Sequence, residues 1–276
     1  MRLDAIHLVQ SRADLLAALE RVRRAGAGRL TNWFATAERI DHWIAGRSLS
    51  CLEGEGALLI LLRDRGFHRV YHSAADLGAL SALLGAFTEE LAGDGVLTAD
   101  LVGQPVDLEP VAAIYRESGF TDHNCLVRMV RMAAPEEVGE SQPDAAFAGP
   151  ADVAAVAAFL DRLLDPYTDQ FPGKDEIHEA VSRRNVILVR SGESVGGMLL
   201  FESTGLTSHL RYWYVDDVAR NQGIGARLMR QFLRLSSGSK RIILWVVNGN
   251  TDAIAKYGHY GFRPETLVDR IMIRRR

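Results

Sequence analysis

The sequence predicts an α/β protein, an α+β mixed sheet plan used twice: each half is a central, mostly antiparallel sheet flanked by helices. Three observations carry this. The length of 276 residues suits two modest domains better than one. The stretch "MAAPEEVGESQPDAAFAGP", from Met132 to Pro150, is rich in Ala, Pro, Glu and Gly and divides the chain near its middle. The halves also end alike. "IYRESGFTDHNCLVRMVR" from Ile114 and "KYGHYGFRPETLVDRIMI" from Lys256 set Tyr115, Gly119, Phe120 and Arg128 against Tyr257, Gly261, Phe262 and Arg270, at a constant offset of 142. The expected domains are therefore 1–132 and 145–276, with 133–144 as linker.

The elements follow from pattern. In the first half a strand is expected near Ile6–Val9, then a helix opened by Ser11 with Asp14 in the capping-box position. A second helix is expected over Thr36–Ala45. Strands near Leu49–Leu52, Ala57–Arg63 and His68–His72 follow. A helix from Ala74 to Leu91 has Ser73 and Asp76 as caps. A strand near Leu97–Leu101, a helix over Leu108–Ser118 and a final strand complete the half. The second half repeats the order. It has a strand near Ala145–Ala148, a helix opened by Pro150 and Asp152, and a helix over Lys174–Arg184. Strands over Val186–Arg190, Ser194–Glu202 and His209–Val215 come next. A helix after Gly223, the buried strand "RIILWVV", a helix from Asn250 and a last strand over Val268–Arg274 close it.

Composition narrows the function. A net charge of −3 provides no basic field for nucleic acid, and the basic tail Arg274–Arg276 reads as a solvated end. Cys51 and Cys125 give neither a disulfide framework nor metal-ligand spacing. "MRLDAIHLVQ" has no signal-peptide core, and no apolar run approaches a membrane span. A soluble, cytoplasmic protein is expected, with no metal, no nucleic-acid partner and no membrane partner, as a monomer or homodimer.

The stretch "ARNQGIGARLMRQFL" then raises a chemical question. Apolar residues Ile224, Leu228, Phe232 and Leu235 form a buried helical stripe. Two glycines, Gly223 and Gly225, stand at its start. A helix start leaves unpaired N–H groups that attract an anion, and glycine lets a phosphate approach them. A tight turn with no ligand is the plainer alternative. A dinucleotide fingerprint would need a third glycine where Leu228 stands, and a triphosphate loop would need Gly-Lys-Ser/Thr, whereas Lys240 lies in "SGSK". Coenzyme A remains.

Here "YVDDVARNQGIGARLM" resembles the acetyl-CoA signature of the GNAT N-acetyltransferases, Arg/Gln-x-x-Gly-x-Gly/Ala, met by Arg220, Gly223 and Gly225. The family's Asn-x-x-Ala-x-x-x-Tyr segment ending in Gly-Phe is met by Asn250, Ala253, Tyr257, Gly261 and Phe262. The resemblance covers the whole second half. It implies an acyltransferase that moves an acetyl group from acetyl-CoA to a primary amine, with a small molecule as the expected acceptor. A protein N-acetyltransferase and a non-catalytic acyl-CoA sensor or interaction module are the alternatives. The resemblance also implies the site. The backbone of Trp213, Tyr214 and Val215 would pair with the pantetheine arm. The loop from Arg220 through Asn221, Gln222, Gly223, Ile224, Gly225 and Ala226 would hold the pyrophosphate. Asn250 would bond the coenzyme or cap its helix. Tyr257 would protonate the leaving thiolate, or else simply pack.

No general base is singled out. Glu202, Asp216, Asp217, His209 and His259 are all open, and Asp217 departs from the proline common in the family. Tyr212 and Trp213 are expected on opposite faces of their strand. Asp165, Tyr167, Asp169 and Phe171, in "LDPYTDQFPGKDE", are either a wall for a cationic amine or a polar loop with one anchored aromatic. The first half has no Gly-x-Gly at the matching place and reads as a degenerate copy that binds no coenzyme, which leaves one site per chain.

Overall fold

A computed structural model describes residues 6–26, 30–90, 95–132, 145–192 and 194–275. The linker expected at 133–144 lies outside the described residues. By contacts the chain forms two compact units, Met1–Leu126 with Thr266–Arg276, and Val127–Glu265. This division departs from the contiguous ranges expected above at the closing strands. β7 (Thr121–Met132) and β13 (Arg263–Arg274) each have residues in both units. β13 also begins earlier than the expected Val268.

In the first unit the chain runs through β1 (His7–Leu8), α1 (Arg12–Ala25), β2 (Leu30–Thr31) and α2 (Ala37–Ala45). It continues through β3 (Leu49–Gly54), β4 (Ala57–Asp64), β5 (Phe67–Ala74), α3 (Leu77–Glu90), β6 (Leu97–Gly103) and α4 (Pro105–Glu117). The sheet order is β1-β3-β4-β5-β6-β13. Val268–Arg274 of β13 lies antiparallel to β6, so the chain's own end covers an edge that would otherwise be open. Among the described residues of this unit β5 and β6 alone run parallel, through His68↔Leu97 and Arg69↔Thr98. Ser11 caps α1, accepting from the Asp14 amide at 3.1 Å, but its hydroxyl reaches the Asp14 carboxylate at 2.6 Å instead of completing the backbone half of a capping box. Asp76 caps α3 by accepting from the Ala79 amide at 2.8 Å. Ser73, the other expected cap, is buried inside β5, because that strand runs on to Ala74. α4 starts at Pro105, not Leu108, since proline suits a first helical turn that has no use for its N–H. β2 has no counterpart among the expected elements. Two residues are too few for a periodic pattern.

The second unit holds β8 (Ala146–Phe147), α5 (Val153–Leu163), α6 (Lys174–Ser182), β9 (Val186–Ser191), β10 (Ser194–Thr204) and β11 (Thr207–Val215). α7 (Ile224–Leu235), β12 (Arg241–Val247) and α8 (Thr251–His259) follow. The order is β8-β9-β10-β11-β12-β7. One face of the sheet, with Leu199, Phe201 and Leu210, packs Ile224, Leu228 and Phe232 of α7. The other, with Met198, Leu200 and Tyr212, packs Val156 and Leu160 of α5 and Ile177 of α6. Leu228 and Phe232 are fully buried, each contributing about 1.5–3 kcal/mol of hydrophobic transfer, and they fix α7 against the sheet.

Candidate functional site

The site begins with one extra residue. Leu200 of β10 faces Tyr212, but the next residue, Phe201, faces Leu210. Arg211 is therefore a β-bulge, and bulges bend the strand that carries them. The parallel pairing of β11 with β12 ends at the same place, at Leu210↔Leu244. Beyond it β11 peels away, and among the described residues no strand pairs with the edge of Trp213–Val215 that faces β12. The bulged Arg211 is held by an ion pair to Glu202 at 2.5 Å. Beyond the bulge, ordinary strand alternation sets successive side chains on opposite faces. Tyr212 and Tyr214 lie with the α5 and α6 core, and Trp213 and Val215 with the α7 core.

The open edge leads to the start of α7. Asn221 (φ 63°) and Gly223 (φ 72°) are both left-handed, which turns the chain tightly into the helix. The first in-helix bond of this turn runs from the Arg227 amide to the Gly223 carbonyl at 3.1 Å, so the amides of Ile224, Gly225 and Ala226 have no helical partner. The two glycines serve different ends. A side chain at Gly223 would meet nothing within 4 Å, so its place is set by the positive φ and by the open space over it. A Cβ at Gly225 would sit 3.3 Å from the Trp213 ring and 3.5 Å from Val215, so that glycine admits the indole.

Edge and helix mouth border one cleft of about 690 Å³. Trp213, Tyr214 and Val215 line it from β11; Arg220, Asn221, Gly223, Ile224, Gly225 and Ala226 from the turn; Asn250 and Tyr257 from α8 and its cap. Gln222 alone of the expected residues is outside; its side-chain amide donates to the Val218 carbonyl at 3.4 Å. Asn250 accepts from the Ala253 amide at 3.1 Å and so caps α8 while lining the cleft. Asp252, Lys256, His259 and Tyr260 also line it. The spacing Asp252, Lys256, Tyr260 around Tyr257 is one helical face, a signal present in the sequence once α8 is placed.

Tyr257 is half-buried, its ring 5.4 Å from Trp213 and 5.9 Å from Phe262. Burial pushes its phenol up to about 12. Its hydroxyl has no hydrogen-bond partner among the described residues. The matching Tyr115 of the first unit is fully buried, with its hydroxyl 3.0 Å from Nδ1 of His72. The same residue in the same place is bonded in one unit and faces a cleft in the other.

The acids and bases near β11 are mostly engaged. Glu202 pairs with Arg211, Asp217 with Arg220 at 2.6 Å, and Asp216 with Arg162 while accepting from the Val218 amide. Burial, reinforced by the charges of Arg211 and Arg128, pushes the His209 imidazole down to about 4. His209 is therefore neutral at ordinary pH. His259 lies in the cleft, its ring 5.3 Å from that of Tyr260. In the α5–α6 connection, Asp165 accepts from the Tyr167 amide and the Thr168 hydroxyl, and Asp169 accepts from the Asp165 amide at 2.9 Å. Both carboxylates hold the turn, and Phe171 packs into the α5 and α6 core. The polar-loop alternative describes this segment.

Comparison with known proteins agrees with this geometry. Residues 156–262 match the model of the Acetyltransferase (GNAT) family. Among curated proteins, none matches the sequence. A GCN5-related N-acetyltransferase from Sphaerobacter thermophilus is similar in structure at 14% identity and a TM-score of 0.64, over 98% of this chain and 95% of that one. A tandem GNAT protein from the clavulanic acid biosynthesis pathway is similar at 14% identity and a TM-score of 0.61, over 99% and 98%. A GNAT-family acetyltransferase from Colwellia psychrerythraea is similar at 11% identity and a TM-score of 0.58, over 99% and 100%. At such identities the structures speak for the fold. Residues 156–262 carry a GNAT-family domain, and the chain as a whole has the fold of tandem GNAT structures, a fold that supports acyl transfer.

Proposed function

We propose that the second unit transfers an acetyl group from acetyl-CoA to a primary amine of a small molecule. One observation carries this: a strand edge and three helix amides with no partner among the described residues border a single cleft, which also holds a tyrosine hydroxyl likewise unbonded among them. The fit to the coenzyme is physical. The Trp213–Val215 edge offers main-chain donors and acceptors to an extended amide chain. The amides of Ile224–Ala226 offer themselves to a diphosphate, with Arg220 and Lys256 adding positive charge at the rim. The open space over Gly223 lets phosphate oxygens reach the backbone.

Acetyl-CoA supplies an activated acyl group and a thiolate leaving group. The residues of this chain do the rest. A β11 amide polarises the acyl carbonyl. Tyr257 stays protonated at any working pH and donates a hydrogen bond where thiolate charge develops. His259 lines the same cleft and accepts the amine proton directly or through water. The Gln170 carbonyl accepts from the Tyr212 hydroxyl and ties the α5–α6 connection to β11.

The sensor reading has one observation in its favour: Glu202, Asp216 and Asp217, the carboxylates weighed as base, are each held in an ion pair. Thiol release from acetyl-CoA, measured across a panel of small amines and N-terminal peptides, separates the readings. Amine-dependent release, faster with small amines, is expected. Tight coenzyme binding with no release under any amine would leave a sensor, and release with peptides alone a protein acetyltransferase.

A further inference from the structure

Unit one has the same slot, and the chain fills it. β5 stands where β11 stands in the second unit, and β5 also leaves its parallel neighbour early, after Arg69↔Thr98. The edge so exposed is not open. β2 pairs with it, Leu30↔Ala74 and Thr31↔Ser73, while the opposite edge of the same residues is paired with β4. Asn32 then closes the gap. Its Oδ1 accepts from the His72 amide at 2.6 Å. Its Nδ2 donates to the Val70 carbonyl of β5 at 3.3 Å and to the Asp100 carbonyl of β6 at 2.9 Å. The Asn32 amide and the Thr31 hydroxyl both donate to the His72 carbonyl. Asn32 is 6% exposed, and the next residue, Trp33, is anchored edge-on against Tyr71 at 5.1 Å.

We propose that Leu30–Asn32 is a built-in occupant of the first unit's coenzyme slot, an internal strand standing where a pantetheine arm would lie. The slot therefore takes no ligand, and each chain binds one coenzyme. Two further features of the same unit agree. The mouth of α3 is capped by the Asp76 carboxylate, which repels a phosphate where the second unit offers bare amides. The Tyr115 hydroxyl, matching Tyr257, is bonded to His72. Any entering amide chain would have to displace the segment from both His72 backbone groups at once. The count of one coenzyme rests on the proposal that the second unit binds it; the occupied slot does not.

The test uses the full chain with two readouts. Titration calorimetry with coenzyme A is expected to give one site in the wild type and none in Gly223→Trp. Two sites in the wild type, one of them surviving in Gly223→Trp, would overturn the internal occupant and leave the second-unit proposal standing; a single site unchanged by Gly223→Trp would overturn both. No binding by the wild type would sink the second-unit proposal, and amide exchange by NMR then decides the slot. The His72 amide is expected to exchange slowly in the free wild type, at least about tenfold faster in Asn32→Ala, and again slowly in Asn32→Asp, which restores the acceptor. Fast exchange of that amide in the wild type would overturn the internal occupant, whatever the variants do and even if they fail to fold.

Discussion

Replacing Tyr257 by Phe removes one hydroxyl and little else, and its expected effects can be worked from the surroundings. The phenol stands at about 12, and a thiol such as cysteine titrates near 8.5, so full proton transfer in the ground state would be uphill by roughly 5 kcal/mol. The hydroxyl thus acts chiefly as a donor to charge developing on sulfur. That puts its contribution near the lower end of general-acid effects, about 100-fold in kcat, with the coenzyme KM changed less than about threefold. Because the hydroxyl has no partner among the described residues, no bond is lost on folding, and Tm should shift by no more than about 2 °C. Tyr115→Phe is the control. It strips the buried His72 ring of its partner, costing about 1–3 kcal/mol and lowering Tm by roughly 3–8 °C. Steady-state kinetics and calorimetric melting of the two variants read this contrast. If Tyr257→Phe turns over within twofold of the wild type, or melts as early as Tyr115→Phe, the residue is packing and the catalytic assignment is refuted.

Acid should destabilise the fold through its buried imidazoles. His209 and His72 are held down to about 4 and about 3, below the usual 6.5, so the unfolded chain takes up protons that the folded chain refuses. Their contribution is intact above about pH 6.5 and is lost as pH falls toward the folded values, about 3 kcal/mol for His209, and His209→Gln should flatten that part of the urea-unfolding profile between pH 6.5 and 4. Gly223→Val forces a branched residue to positive φ and covers the helix mouth, so the coenzyme KM should rise at least about tenfold with a stability loss of about 1–2 kcal/mol; an unchanged KM would remove the phosphate role. Gly225→Ala presses only on the Trp213 ring, so it should cost about 1 kcal/mol in thermal stability with a smaller KM effect than Gly223→Val; the reverse order would exchange the roles of the two glycines.

Much of the architecture is legible from pattern. The stripe Ile224, Leu228 and Phe232 places α7, and the repeat of Tyr115 as Tyr257 announces the second copy. What sequence misses is local and depends on pairing partners. β2 is two residues long, and its existence rests on the free edge of β5, which no pattern at 30–31 encodes. Ser73 looks like a cap in sequence, yet the β4–β5 ladder runs on to Ala74 and buries it. The bulge at Arg211 opens the cleft but leaves no mark in composition, because the misalignment lies between two strands. Gly225 reads as a phosphate glycine and also admits an indole from a residue twelve positions earlier, Trp213. The engaged state of Asp165, Asp169, Glu202 and Asp216 could not be read without their partners.

Residue-level hydrogen exchange of the full chain with saturating acetyl-CoA tests the central claim most directly. Protection is expected at the amides of Trp213–Val215 and Ile224–Ala226, with the amides of β5 and of Leu77–Ala79 in the first unit unchanged. Absence of protection at the mouth of α7, or protection appearing along β5 instead, would contradict the placement of the coenzyme in the second unit.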